Sequence, residues 1–325
     1  MKKYKEEDIS VVIPTCNRAE DLKKTLKPIL TAGKKIKEIL IVDQSRDNKT
    51  KKAIEKLKYT KIKYIYSKTP SITIARNLGV KKADKESKII CFLDDDVTLE
   101  KDYFNGILEI FNKYPEAKAV AGFVPPEKDM KKENFISNLI KRIFYLQRKT
   151  KDEAEIVSAY GNTYPYNLKK IINAEWLQGV NMIYKKEVFD EQKFDENLLG
   201  YTIAEDTDFN YRLYKKYPKL IFITPYAKII HRDSKIERYE TRKMAYINQT
   251  DHFYFNFKNL NKNFMEKIIF VWALLGIILL RTTRFIFGFK KEDRLKLQFF
   301  FESLVYCIKN LDKIKKGDVR SFRLD

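Results

Sequence analysis

Cys91-Phe92-Leu93-Asp94-Asp95-Asp96-Val97 is the stretch on which the fold turns, because an apolar run ends there in three consecutive carboxylates. Residues 88–93 are too continuously apolar for a half-exposed strand, so a buried strand is expected, with the acids where it leaves the sheet. Three adjacent anions are tolerable if they face water, share a cation, or diverge into a polar crevice. In open α/β sheets that crevice lies beyond the carboxyl ends of the strands. Hard oxygen ligands there suit Mg²⁺ or Mn²⁺, which keep several waters and add one or two carboxylates and substrate phosphates. The plainer alternative is an acidic turn opening a helix near Leu99, where carboxylates complement the helix N-terminus.

Working outward, residues 9–13 read as a first strand stopped at Pro14, followed by the turn Thr15-Cys16-Asn17-Arg18 and a helix over 19–30 that Gly33 ends. A second strand, 36–42, runs into Asp43; a helix over 49–57 and a strand over 62–66 follow. Ser71 is a candidate N-cap for a helix reaching about Ala83, with Arg76 and Asn77 on its first turns. After the acid cluster come a helix over 99–114 and a strand over 119–124. Strands alternating with helices imply right-handed crossovers and a mainly parallel sheet. Farther on, 175–184 reads as a strand interrupted by Gly179, Glu205-Asp206-Thr207-Asp208 opens a helix, and strands over 220–224 and 227–231 follow. Neither GxGxxG nor GxxxxGK occurs, which excludes the dinucleotide and P-loop readings for want of their phosphate cradle.

At 325 residues, 44% hydrophobic and 34% charged, the chain can form one large or two ordinary cored domains. Its formal net charge of +21 attracts anions: nucleic acid, nucleotide phosphate or acidic lipid. Cys16, Cys91 and Cys307 form no CxxC pair, so neither disulfides nor zinc are expected, and a reducing compartment is. Residues 1–8 carry no apolar run of signal-peptide length, which argues against secretion.

Residues 1–233 are expected to form one domain and 234–325 a mainly helical C-terminal region. Within 129–170 a basic amphipathic helix is expected. The uninterrupted apolar run 268–280, with Trp272 inside and Lys267 and Arg281 at its edges, is shorter than the roughly twenty residues that span a bilayer. Basic flanks with Trp and Phe fit a helix in the interface of an anionic leaflet; the alternative is a buried helix of a helical subdomain.

Val11-Val12-Ile13-Pro14-Thr15-Cys16-Asn17-Arg18, Ile41-Val42-Asp43, Ala75-Arg76-Asn77-Leu78-Gly79, Phe92-Leu93-Asp94-Asp95-Asp96, Gly179-Val180-Asn181-Met182, Glu205-Asp206-Thr207-Asp208 and His231 together resemble the family 2 glycosyltransferases of GT-A fold. The resemblance implies an α/β fold of doubly wound, mixed sheet flanked by helices. It implies a nucleotide-sugar donor (UDP-, GDP- or dTDP-linked) bound by Thr15, Asp43, Arg76, Asp94 and Asp95. It further implies Mg²⁺ or Mn²⁺ on Asp96 and His231, with Asp206 as the catalytic base of an inverting transfer. The middle carboxylate, Asp95, departs from a pattern whose middle position is usually free, so which of the three acids meets the metal stays open.

A glycan or lipid-linked acceptor at the cytoplasmic face of the cell membrane is the expectation, with no nucleic-acid partner. Two other readings stand beside it. Asp94-Asp95-Asp96-Val97-Thr98 matches the DxDxT nucleophile motif of haloacid-dehalogenase-type phosphatases, with Asp94 as nucleophile and Thr224 as the best later hydroxyl. The positive charge alone permits a nucleic-acid-binding protein, although no RNP-like strand, finger or helix-turn-helix pattern occurs.

Overall fold

The computed structural model describes residues 3–126, 135–148, 154–234, 241–260, 263–288 and 291–319. In chain order the first elements are β1 (Ile9–Thr15), α1 (Ala19–Ala32), β2 (Glu38–Asp43), α2 (Lys49–Leu57), β3 (Ile62–Tyr66), α3 (Ile72–Lys82) and β4 (Ile89–Leu93). Their strands are parallel, with β1 between β2 and β4 and β3 outside β2. Every residue of β1, β2 and β4 is buried, as their unbroken apolar runs require when helices cover both faces. The glycine of Ala75-Arg76-Asn77-Leu78-Gly79 lets α3 lie on β1, since a Cβ at Gly79 would overlap the Val12 side chain.

Past the acid cluster the expected helix over 99–114 begins later. Val97–Leu99 is instead a short strand, β5, and α4 spans Tyr103–Lys113. The chain continues through β6 (Ala119–Phe123), α5 (Phe135–Ile143), a small hairpin of β7 (Ile156–Ser158) and β8 (Gly161–Asn162), β9 (Ile172–Asn173) and β10 (Asn181–Lys185). It then forms α6 (Val188–Glu191), α7 (Glu205–Lys216) and β11 (Ile221–His231). The sheet is mixed: β10 runs antiparallel between β4 and β6, β11 is parallel to β6, and β5 and β9 are antiparallel to β11. The two strands expected over 220–231 are one, with a register shift between Thr224 and Lys228 where Pro225 removes a ladder donor. Of the strand expected over 175–184 only the part beyond Gly179 is extended; Asn181 anchors it, its Oδ1 accepting from Tyr103 OH (3.0 Å) and Gly122 N–H (2.6 Å).

Contacts divide the chain into two units. The first comprises residues 1–125, 166–196 and 205–238 and holds the nine-stranded sheet; the second comprises 126–165, 197–204 and 239–325. The second contains α5 and the β7–β8 hairpin with α8 (Thr241–Phe255), α9 (Phe264–Gly288), α10 (Lys291–Lys309) and α11 (Leu311–Lys315). Within it α10 packs on α8 and α9, α5 packs on α9, and Ile140, Leu146, Ala273 and Leu280 form a small core. The sequence over 234–260 reads as one long helix; α8 covers 241–255 of it, and residues 235–240 lie outside the described residues, as do 129–134 and 149–153 of the basic stretch. Among the described residues no helix is long and apolar enough to cross a membrane.

Candidate active site

The site forms where β1, β2 and β4 end and where β5 meets the far end of β11. Ile230 pairs with Thr98 and His231 with Val97, which brings His231 beside the acid cluster although it lies 135 positions beyond Asp96 in the chain. Arg232 closes this corner: its amide donates to the Asp96 carbonyl (2.9 Å) and its guanidinium to Thr98 Oγ1 (2.7 Å) and Thr25 Oγ1 (2.7 Å).

Asp94, Asp96 and His231 each offer a ligand atom within 4.8 Å of the others. His231 Nε2 lies 3.0 Å from Asp96 Oδ1, and the Ser234 amide donates to Asp96 Oδ2 (2.9 Å). Among the described residues Asp96 Oδ1 is buried and has no hydrogen-bond partner of good geometry, so a buried anionic oxygen and an imidazole nitrogen face the same small space. Two carboxylates and one imidazole form a donor set suited to Mn²⁺ or Mg²⁺. Burial pushes Asp96 upward, but the His231 imidazole, the Ser234 amide and Arg18 outweigh it and hold the carboxyl below its ordinary range. The same contact with Asp96 raises His231.

The middle acid turns elsewhere. Asp95 Oδ2 accepts from Thr15 Oγ1 (2.6 Å) and its Oδ1 meets Arg18 Nη1 (3.2 Å), which also lies 3.7 Å from Asp96. Burial lifts Asp95 to about 7 against the pull of Arg18. Thr15 and Asp95, both named as donor-binding positions, thus contact one another. Arg18, which the sequence reading left in a turn without a role, is the cation that lets two of the three acids sit together. Asn17 before it adopts φ 55°, a left-handed conformation that Asn tolerates, and its amide donates to Ser45 Oγ (2.8 Å).

Asp43 is fully buried at the end of β2, in register with Thr15 on β1. Its Oδ1 accepts from the Ser45 amide (3.0 Å) and hydroxyl (2.5 Å), and its Oδ2 from Tyr64 OH (2.9 Å). These donors fix the carboxylate's orientation. Burial and the Asp43 anion together raise the Tyr64 phenol, which stays protonated as the donor.

Arg76 is 2% exposed and binds three ways. Its Nη1 meets Glu205 Oε1 (3.0 Å), its Nη2 donates to the Gly179 carbonyl (3.2 Å), and its Nη2 lies 3.8 Å from Asp94. The guanidinium sits 5.3 Å above the Phe194 ring. Asn77 holds that ring in place by bonding both the Phe194 carbonyl (2.9 Å) and amide (3.0 Å). Arg76 opposes burial in Asp94, which still rises to about 6.

Asp206, which its place at a helix start predicts to be exposed, is half-buried: Oδ2 accepts from the Gly179 amide (2.8 Å) and Oδ1 from the Thr207 amide (2.6 Å). Gly179 therefore bridges Arg76 and Asp206, and a Cβ there would sit 3.2 Å from Arg76 Nη2 and 3.3 Å from Asp206 Oδ2. Burial raises Asp206 even though Arg76 and these amides lower it. Glu205 rises to about 7, through burial and the Asp206 charge, and its Oε2 is buried without a hydrogen-bond partner among the described residues. Thr224, the hydroxyl that the phosphatase reading needs, is fully buried in β11 and accepts from the Tyr226 amide (3.2 Å).

Comparison with known proteins agrees with this geometry. The family described as "Glycosyl transferase family 2" matches residues 10–192. The glycosyltransferase GlyA of Streptococcus pneumoniae is 24% identical over 220 residues, covering 67% of this chain and 30% of that protein. An uncharacterized glycosyltransferase, RC0461, of Rickettsia conorii is 39% identical over 95 residues, 29% of this chain and 15% of that one. The chain thus spans less than a third of either curated relative. Among solved structures, S. aureus TarS 1–349 in complex with UDP-GlcNAc aligns with TM-score 0.55 and 14% identity, covering 97% of this chain and 89% of that one. The mannosyltransferase PcManGT of Pyrobaculum calidifontis, in complex with GDP-Man and Mn²⁺, aligns with TM-score 0.57 and 14% identity over 94% and 87% of the two chains. At such identity these two establish the fold alone.

Proposed function

Because the chain belongs to glycosyl transferase family 2, we propose that it moves a sugar from a nucleotide-sugar donor to a hydroxyl of a glycan or lipid-linked acceptor, with inversion at the anomeric carbon. The observation that carries this reading is the convergence of two series of contacts on the space shared by Asp94, Asp96 and His231. One runs from Thr15, in register with Asp43, through Asp95, Arg18 and Asp96 to His231, and the other from Asp94 through Arg76 and Gly179 to Asp206.

Asp94, Asp96 and His231 would hold Mg²⁺ or Mn²⁺, whose charge when bound stabilises a departing diphosphate. The chain's own residues do the rest. Asp43, oriented by Ser45 and Tyr64, offers a fixed acceptor to an N–H of the donor's base. Arg76 is a positioning residue: it pairs with Glu205 and Asp94 and donates to the carbonyl of Gly179, whose own amide donates to Asp206. Asp206 takes the proton from the acceptor hydroxyl as its oxygen bonds to the anomeric carbon. The nucleoside diphosphate leaves from the opposite face with the electron pair of the broken C–O bond, which gives inversion.

The donors held by the two structural neighbours, UDP-GlcNAc and GDP-Man, suggest UDP- and GDP-sugars first and dTDP-sugars after them, each screened with Mn²⁺ for thermal stabilisation and for product by mass spectrometry. One donor that both stabilises the protein and yields nucleoside diphosphate supports the reading; no stabilisation by any of them, with folded protein, contradicts it. The net charge of +21 and the basic-flanked apolar helices of the second unit support an acceptor at the cytoplasmic face of a membrane.

A further inference from the structure

Helix α9 is apolar on more than one side. Phe270, Ala273 and Leu280 are buried within the second unit, against the cluster of Ile140, Leu146 and Tyr160. Phe264 (73% exposed), Ile268, Val271 (55%), Trp272, Leu275 and Leu279 recur at three- and four-residue spacing and face solvent. On α5, Phe135 (80%), Leu139 and Ile143 repeat the pattern. The two stripes are tied together: Trp272 Nε1 donates to the Ile143 carbonyl (2.8 Å), its ring stacks on Phe144 at 4.7 Å, and Gly276 leaves the room that Phe144 fills. A contiguous exposed apolar face of this kind is an interaction surface.

Charge decides what covers it. The two helices carry Lys141, Arg142, Lys267, Arg281 and Arg284 against the single carboxylate Glu266. A second copy would bring the same cations to the same contact, in a chain already at +21, and the two would repel. An anionic bilayer attracts those cations and accepts the apolar side chains between them. Since α9 is not apolar and long enough to cross, it would lie along the surface. We propose that the α5–α9 face is a docking surface for an anionic lipid bilayer, seated at the boundary of headgroups and acyl chains. This gives a location to the membrane part of the function proposed above and does not depend on the transfer chemistry.

The test is flotation of the full-length protein with vesicles of phosphatidylcholine alone or with added phosphatidylglycerol, without donor sugar, together with light scattering for oligomeric state. The expected result is binding about tenfold or more tighter to anionic vesicles, weakening as salt rises. Combined Ile268→Ser, Val271→Ser and Leu275→Ser should reduce it at least about tenfold while Mn²⁺-dependent nucleotide binding and melting temperature stay unchanged. Lys141→Gln with Arg142→Gln and Arg284→Gln, which leave the apolar face intact, should remove the preference for anionic lipid. Equal binding by the wild type and the serine variant, no binding to either vesicle, or a wild-type dimer that the serine changes dissociate, would each overturn the proposal. Loss of glycosyl transfer with vesicle binding intact would count against the proposed activity and leave this surface standing.

Discussion

The first unit buries charge where the second exposes hydrocarbon. Asp43, Arg76, Asp95, Asp96 and Glu205 are all buried beside the sheet, whereas Phe135, Phe264 and Phe287 on α5 and α9 are 80%, 73% and 79% exposed. Both invert the usual partition of residues, and such inversions are the informative ones. They differ in what they demand. A buried charge is tolerable only when partners sit at hydrogen-bonding distance, so the site is an exact arrangement in which each substitution disturbs a neighbour. An exposed apolar stripe requires only area, so single changes there leave the fold indifferent.

The largest expected effect lies at Asp206. Asp206→Asn should lower kcat by about 10³-fold, within a 10²–10⁴ range, with donor affinity unchanged, as single-turnover kinetics and donor titration will show. The base must be deprotonated, so the rate falls as pH drops through a pKa that burial has raised. Glu205→Gln removes the neighbouring anion and should move that acid limb of the kcat/KM profile to lower pH.

Next comes the buried pair. Arg76→Met strands Glu205 and should destabilise the protein by about 3–5 kcal/mol in urea unfolding, of which the added Glu205→Gln should restore a substantial part.

Divalent metal follows. Mn²⁺ at about 100 times its Kd should stabilise the wild type by about 2.7 kcal/mol and leave His231→Ala unaffected in thermal melts. In chelator the raised pKa of His231 makes its pairing with Asp96 fully stabilising below pH 6.5, and that contribution is lost as pH rises through the folded-state value.

Gly179→Ala should be milder, about 1–3 kcal/mol, with transfer impaired more than stability because the new methyl crowds Arg76 and Asp206 together. At the bottom of the scale, Val271→Ser should alter stability by no more than about 0.5 kcal/mol. A loss comparable with that of Arg76→Met would erase the contrast between the units.

What could be read from the sequence follows from range. β1, β2 and β3, short β-branched runs, and the helix α2 are written in contiguous residues, and the structure reproduces them to within about two residues at each end; β1, expected to stop at Pro14, runs through it to Thr15. β5 is three residues whose partners are Ile229, Ile230 and His231, so Val97-Thr98-Leu99 cannot be told in sequence from the approach to the helix after it, and with it goes the reason that His231 reaches Asp96. The Arg76–Glu205 pair spans 129 positions, and neither residue announces the other. The acid triplet was visible as a cluster, but the division of Asp95 from Asp94 and Asp96 depends on Thr15 and Arg18, which the pairing of β1 with β4 brings within reach. Gly179 was legible: a glycine interrupting a strand run marks close approach of backbone or ligand, and here both its amide and its carbonyl are engaged.

The central claim is that the crevice of the first unit gathers around one divalent ion. Crystals grown with Mn²⁺ and a nucleoside diphosphate, with diffraction recorded at the manganese edge, test it directly. The account predicts one anomalous peak about 2.1 Å from a carboxylate oxygen of Asp94 or Asp96, with His231 Nε2 in its coordination shell. A manganese peak elsewhere, or a diphosphate bound in the crevice without one, would contradict it.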